Sequence, residues 1–252
     1  MSPVLLRDAL LDALALVLPV DCAGCGEPDR ALCDACREAL APAVNWSSLA
    51  RPGAASTASA VSVPISAPVS VPVSVPVVAG LSYDGVARRA ILALKDAGRP
   101  GLARVLAPAL QAAAREAQVR LGAGPGVILC PIPPSRQALR RRGYAPVELL
   151  ARAAGLRLTP LLKAGRTGPA QKGLGAVERE QNAEGTVGLR AAVRDLEVVL
   201  LDDVVTTGAT LRAAARALEA GGARVSGALV LAATPLRFGS PTPSTGSSGN
   251  GP

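Results

Sequence analysis

Val198-Val199-Leu200-Leu201-Asp202-Asp203-Val204-Val205-Thr206-Thr207-Gly208-Ala209-Thr210 sets a buried-type apolar run directly against two acids and a loop of small residues. Downstream, Leu211, Ala214, Ala215 and Leu218 recur at i, i+3, i+4 and i+7, which is one face of a helix, and Gly221 is placed to end it. The spacing predicts a strand over 197–201, a loop, and a helix over 210–220. The loop must then sit at a helix amino terminus. Free amides there, the helix dipole and the hydroxyls of Thr206, Thr207 and Thr210 suit a phosphate dianion, and Gly208 lets the backbone approach it closely.

Adjacent carboxylates beside a phosphate pocket repel that ligand unless they serve something else. Accepting hydrogen bonds from a vicinal diol, or positioning a hydrated Mg²⁺, resolves the conflict. A sugar with a 5-phosphate and a 2,3-diol meets both demands. The competing reading is a solvated turn with Asp and Thr as helix caps, which accounts for the threonines but not for paired acids directly after a buried strand.

Outward from this segment, the pattern predicts a strand over 77–83, helices over 85–94 and 102–120, and a strand over 126–130 broken by Pro131, Pro133 and Pro134. A helix reaching Ala154 and a strand over 225–232 complete it. Strands alternating with helices imply right-handed crossovers and a mainly parallel α/β sheet. Ligands bind such sheets at the carboxyl ends of the strands, so sites are expected after Cys130 and Leu201.

Near the amino end, Cys22-x-x-Cys25, seven residues and Cys33-x-x-Cys36 form two knuckles able to place four thiolates around Zn²⁺. Two disulfides would use the same residues. Zinc is favoured because residues 1–20 lack an export signal: Arg7, Asp8 and Asp12 interrupt the apolar run, and cytosolic thiols stay reduced. That stretch is read as an amphipathic helix and the protein as cytoplasmic. A closed four-thiolate site is structural or partner-binding rather than catalytic, and Cys130 is read as a buried small residue.

Composition removes whole classes of function. The chain has no His among 252 residues, which excludes every mechanism that needs imidazole. Aromatics are 2% of residues, too few for base-stacking platforms, while a net charge of +8 favours anionic partners. The charge-free stretch between Arg51 and Asp84 exceeds membrane-spanning length, but Pro64, Pro68, Pro72 and Pro76 recur inside it and rule out a spanning helix. The expected organisation is a helix and zinc-binding segment over 1–46, a Ser/Pro/Val-rich spacer over 47–77, the α/β body over 78–238, and a disordered tail over 239–252.

The hydrophobic run, Asp202-Asp203 and Thr206-Thr207-Gly208-x-Thr210 resemble the ribose-phosphate motif of type I phosphoribosyltransferases. Further stretches resemble the ComF family of competence-associated phosphoribosyltransferase-like proteins: Tyr83-Asp84-Gly85 leading to Ala93-Leu94-Lys95; Pro131-Ile132-Pro133 with Arg136 and Arg140-Arg141-Arg142-Gly143-Tyr144; and Gln171, Leu174, Arg179 and Asn182. With the cysteine head, the match spans nearly the whole chain apart from spacer and tail. Two positions depart from the family: Ala145-Pro146 stands where Asn-Gln is usual, and Asp96 where an aromatic is common.

The resemblance implies that the chain binds 5-phosphoribosyl-1-pyrophosphate with Mg²⁺. Asp202, Asp203 and Arg179 would act in catalysis, and residues Thr206, Thr207, Gly208, Ala209 and Thr210 would hold the 5-phosphate. Lys95, Arg136 and Arg142 would neutralise pyrophosphate. It also implies a link to DNA uptake, with single-stranded DNA or uptake proteins as partners. Two functions follow: Mg²⁺-dependent pentosyl transfer, or a non-catalytic accessory module that keeps the fold and meets a DNA backbone through its Arg run.

Overall fold

The computed structural model describes residues 20–49, 74–122, 124, 126–165 and 187–234. In chain order the elements are α1 (Asp34–Glu38), β1 (Asn45–Leu49), β2 (Val75–Ser82), α2 (Gly85–Asp96), α3 (Leu102–Arg120), β3 (Ile128–Pro131), α4 (Arg136–Arg142) and α5 (Pro146–Ala153). They continue with β4 (Leu162–Ala164), β5 (Val187–Leu189), β6 (Glu197–Val205), α6 (Ala209–Ala220) and β7 (Arg224–Ala233).

Five strands form one sheet in the order β1-β2-β7-β6-β3. The four strands β2, β7, β6 and β3 run parallel, and only β1 joins antiparallel, on β2. Strands β6 and β7 read as near-continuous Val, Leu and Ala because both faces of the sheet are covered. One face packs on α2, α3 and α5, with Ile91, Leu106, Leu110 and Leu150 fully buried; the other packs on α6 and the β4–β5 ribbon through Leu211, Leu218 and Leu162.

The expected mainly parallel α/β sheet is the one found, with several refinements. The helix expected to reach Ala154 is two helices. Gly143 ends α4 in the left-handed conformation (φ 76°), and Pro146, which cannot continue a helix hydrogen-bond ladder, starts α5. Strand β6 runs on through Val205 because Val204 and Val205 pair with Ala232 and Ala233 of β7, so Asp202 and Asp203 lie within the strand rather than beyond it. Residues 45–49 and 75–77 are strand, which narrows the expected spacer at both ends.

The cysteine head packs into the body: Cys22, Cys33, Cys36 and Leu40 belong to the same buried cluster as α2 and α3. Arg89 Nε donates to the Gly24 carbonyl, and Arg99 Nη1 to that of Asp21. The expected amino-terminal helix, most of the spacer, the loop bearing Arg179 and the tail lie outside the described residues. No described helix is long and apolar enough to cross a membrane.

Candidate active site and thiolate cluster

Because β3 and β6 are parallel neighbours, Pro131–Pro134 and Asp202–Val204 emerge at the same edge of the sheet, and α4 and the last turn of α2 close over them. The result is a cavity of about 710 Å³ lined by Lys95, Arg136, Arg142, Asp202, Asp203 and Thr210 among others. Six of the expected site residues thus share one cavity. Thr206, Thr207 and Gly208 of the adjoining loop and Ala209, the first residue of α6, do not line it, and Arg179 falls outside the described residues.

Lys95, in the last turn of α2, donates from Nζ to Asp203 Oδ1 at 2.9 Å; Asp203 is buried and Lys95 mostly so. Asp202, beside it in the strand, is not hydrogen-bonded to that ammonium. Instead its Oδ1 accepts the Asp203 amide at 2.8 Å. Burial, reinforced by the negative charge of Asp203, pushes the Asp202 carboxyl up to about 8 against the opposing pull of that amide and of Lys95.

These contacts engage one oxygen of each carboxylate and leave the second for another ligand. Hard carboxylate oxygens suit Mg²⁺, which retains water and takes one or two carboxylates together with substrate phosphates. The donor set fits that ion. Five cationic side chains (Lys95, Arg136, Arg142, Lys163 and Arg190) face three acids (Glu148, Asp202 and Asp203) around the cavity, so an anionic ligand is favoured.

The loop after β6 turns at Gly208, whose φ of 73° is left-handed, and α6 starts at this N-cap glycine, which has no side chain to cap the helix. Thr207 Oγ1 accepts from the Ala209 amide only at 3.4 Å. A Cβ on Gly208 would come within 2.5 Å of the Leu49 side chain, so the edge strand buttresses this loop.

Lys163 and Arg190, on and just beyond the β4–β5 ribbon, were not anticipated. Its strands have three residues each, too short for any periodic signal. Glu148 and Tyr144 reach the cavity from α5 and the turn before it.

In the head, the sulfurs of Cys22, Cys25, Cys33 and Cys36 all lie within 4.8 Å of one another. Cys25 and Cys33 Sγ are 3.6 Å apart. Four sulfurs about 2.3 Å from a tetrahedral zinc would be separated by about 3.8 Å, so the cluster fits that ion. The amides of Gly24 and Cys33 donate to Cys22 Sγ at 3.4 and 3.3 Å. Burial raises the Cys22 thiol, but the amides of Cys33, Cys25 and Gly24 outweigh it and bring the group down to about 6. Burial and the neighbouring sulfurs push Cys36 up to about 12, as expected of thiols crowded for a cation. A Cβ on Gly24 would sit 2.4 Å from Cys36 Sγ, so only Gly lets the first knuckle close on the second.

Comparison with known proteins bears on the fold. Residues 138–238, fewer than half of the chain, match the family model described as the phosphoribosyl transferase domain. Together with the sheet this identifies a phosphoribosyltransferase-type α/β fold. Among solved structures, the chain is similar to adenine phosphoribosyltransferase from Rhodothermus marinus (23% identity, TM-score 0.32, covering 54% of this chain and 70% of that one). It is also similar to hypoxanthine phosphoribosyltransferase from Staphylococcus aureus (14%, TM-score 0.33, 53% and 64%) and that from Trypanosoma cruzi (17%, TM-score 0.33, 57% and 73%). The chain thus spans under two thirds of the Staphylococcus enzyme. No curated protein sequence matches it.

Proposed function

We propose that this chain binds 5-phosphoribosyl-1-pyrophosphate, or a related ribose phosphate, and transfers the pentosyl group to an acceptor. The observation that carries the reading is the Asp202-Asp203 pair at the carboxyl end of β6, opening into a cavity where cationic side chains predominate. Asp202 and Asp203 accept the ribose hydroxyls, and loop 206–210 takes the 5-phosphate on the amino terminus of α6. Lys95, Arg136 and Arg142, with Arg179 from the loop outside the described residues, face the pyrophosphate as its bond to the anomeric carbon breaks and oxocarbenium character develops. Mg²⁺, when bound, supplies charge neutralisation of that leaving group. The acceptor donates the new bond to the anomeric carbon, and no protein residue forms a covalent intermediate. The zinc of the head is structural, and the site of action is cytoplasmic.

The resemblance to the ComF family supports a role in DNA uptake. A second reading, a non-catalytic accessory module that meets single-stranded DNA or uptake proteins, draws on the exposed Arg140 and Arg141 of α4. Calorimetric titration of phosphoribosyl pyrophosphate with Mg²⁺ separates the two. Binding that disappears in a folded Asp202→Asn/Asp203→Asn variant supports the enzyme. No binding by the folded, zinc-loaded parent removes the enzyme reading and leaves the module.

A further inference from the structure

The last turn of α2 does more than present Lys95. Its next residue, Asp96, accepts on one oxygen from two successive arginines of α4: Arg141 Nη2 at 2.7 Å and Arg142 Nη2 at 3.1 Å. The two arginines are not equivalent. The Arg141 side chain is 67% exposed, whereas that of Arg142 is 15% exposed and lines the cavity. Just before these acid and base groups, the Leu94 carbonyl accepts from the Tyr144 hydroxyl, so three consecutive α2 residues reach out to β6 and to the end of α4.

One atom in this arrangement lacks a partner. Arg142 Nε is buried and has no hydrogen-bond partner among the described residues, and it is the only such buried side-chain nitrogen or oxygen among them. A buried, charged donor left unpaired is unfavourable, and native proteins rarely retain one without a role for it. It lies on a side chain that faces a cavity already rich in cations. Arg142 Nη2 is held by Asp96, and the guanidinium nitrogen that is not buried is left to donate to an oxyanion in the cavity.

We infer that Asp96 is the positioning residue that holds the Arg142 guanidinium toward an oxyanion of the ligand in the cavity. This rests on the proposed binding of a pyrophosphorylated ribose, with the oxyanion on its pyrophosphate side, away from the loop at Gly208. Asp96 acts through geometry rather than charge. Its charge alone would oppose an anion, so the two effects carry opposite signs and can be separated.

The test uses the full-length, zinc-loaded protein, titrated by calorimetry with inorganic pyrophosphate plus Mg²⁺ and, separately, with ribose 5-phosphate. Asp96→Ala, which removes the acceptor, is expected to weaken pyrophosphate binding by about ten-fold, the scale of one charge-assisted hydrogen bond, and to leave ribose 5-phosphate unchanged. Asp96→Asn retains an acceptor for Nη2 and is expected to restore parental affinity or exceed it. Arg142→Gln should lose pyrophosphate alone. Melting temperatures of all three, compared with the parent, establish that they are folded, and Arg142→Lys serves if Arg142→Gln is not. Pyrophosphate bound as tightly or more tightly by Asp96→Ala overturns the positioning role, with the ribose-phosphate reading intact. A parent that binds neither probe overturns both.

Discussion

Lys95 and Asp203 stand 108 residues apart in sequence and 2.9 Å apart in space, an ion pair in which the carboxylate is 9% exposed and the ammonium 24%. It joins the helix on one face of the sheet to the strand that carries the site. Breaking such a pair from one side leaves a buried charge without compensation, which costs about 3 to 5 kcal/mol. Lys95→Met is therefore expected to lose about 3 kcal/mol in chemical denaturation, and Lys95→Met/Asp203→Asn to recover most of that loss. Equal stability of Lys95→Met and the parent would show that the pair is not held in solution.

Asp202 makes stability depend on pH. Its folded carboxyl titrates near 8, above the ordinary 3.8, so the folded state holds a proton that the unfolded state has released over that interval. Its contribution is complete below the ordinary value and is lost as pH rises through about 8. Between those limits the slope is negative. Urea unfolding at several pH values should show parental stability falling relative to Asp202→Asn as pH rises. Parallel profiles for the two proteins would remove the claim.

Gly208 combines two constraints that a Cβ violates separately. Its left-handed φ costs a non-glycine residue about 1 to 2 kcal/mol. A Cβ would also strike Leu49 at 2.5 Å. Gly208→Ala should lower the melting temperature and weaken ribose 5-phosphate binding. Adding Leu49→Ala should relieve the contact but not the backbone strain, so rescue is expected to be partial. Full rescue would assign the whole effect to packing.

How much of this was readable beforehand depends on the range of the interaction. The strand, loop and helix around Asp202 were legible because a continuous apolar run, small residues and a 3.6-residue period are local signals. The four cysteines were legible from spacing alone. The placement of Asp202 and Asp203 inside β6 was not, since it depends on Ala232 and Ala233 extending the ladder from β7. Nor was the Lys95–Asp203 pair or the grip of Asp96 on Arg142, because those partners meet only once β6 and α4 have been brought to the end of α2. Lys163 and Arg190 arrive on a ribbon whose strands are too short to have a pattern.

The thiolate cluster links metal content to the whole fold. Cys22, Cys33 and Cys36 are buried in the cluster that contains Ile91, Leu94 and Leu106, so the head is a patch of the main core and not an appended finger. Without a cation, four sulfurs within 4.8 Å must either stay protonated in a buried site or repel one another. A bound zinc would remove that conflict, and its binding free energy would then add to folding. The protein should contain one zinc per chain by elemental analysis, in keeping with a single four-thiolate centre. Chelation should lower the melting temperature of the entire domain in a single transition rather than release the head alone. Cys33→Ser should reduce zinc content and destabilise the fold, with pyrophosphate binding lost only to the extent that folded protein is lost. The reason is that none of the four cysteines lines the cavity formed by Lys95, Arg142, Asp202 and Asp203. Two separate melting transitions, or a domain whose stability ignores chelator, would show that the head and the body fold independently.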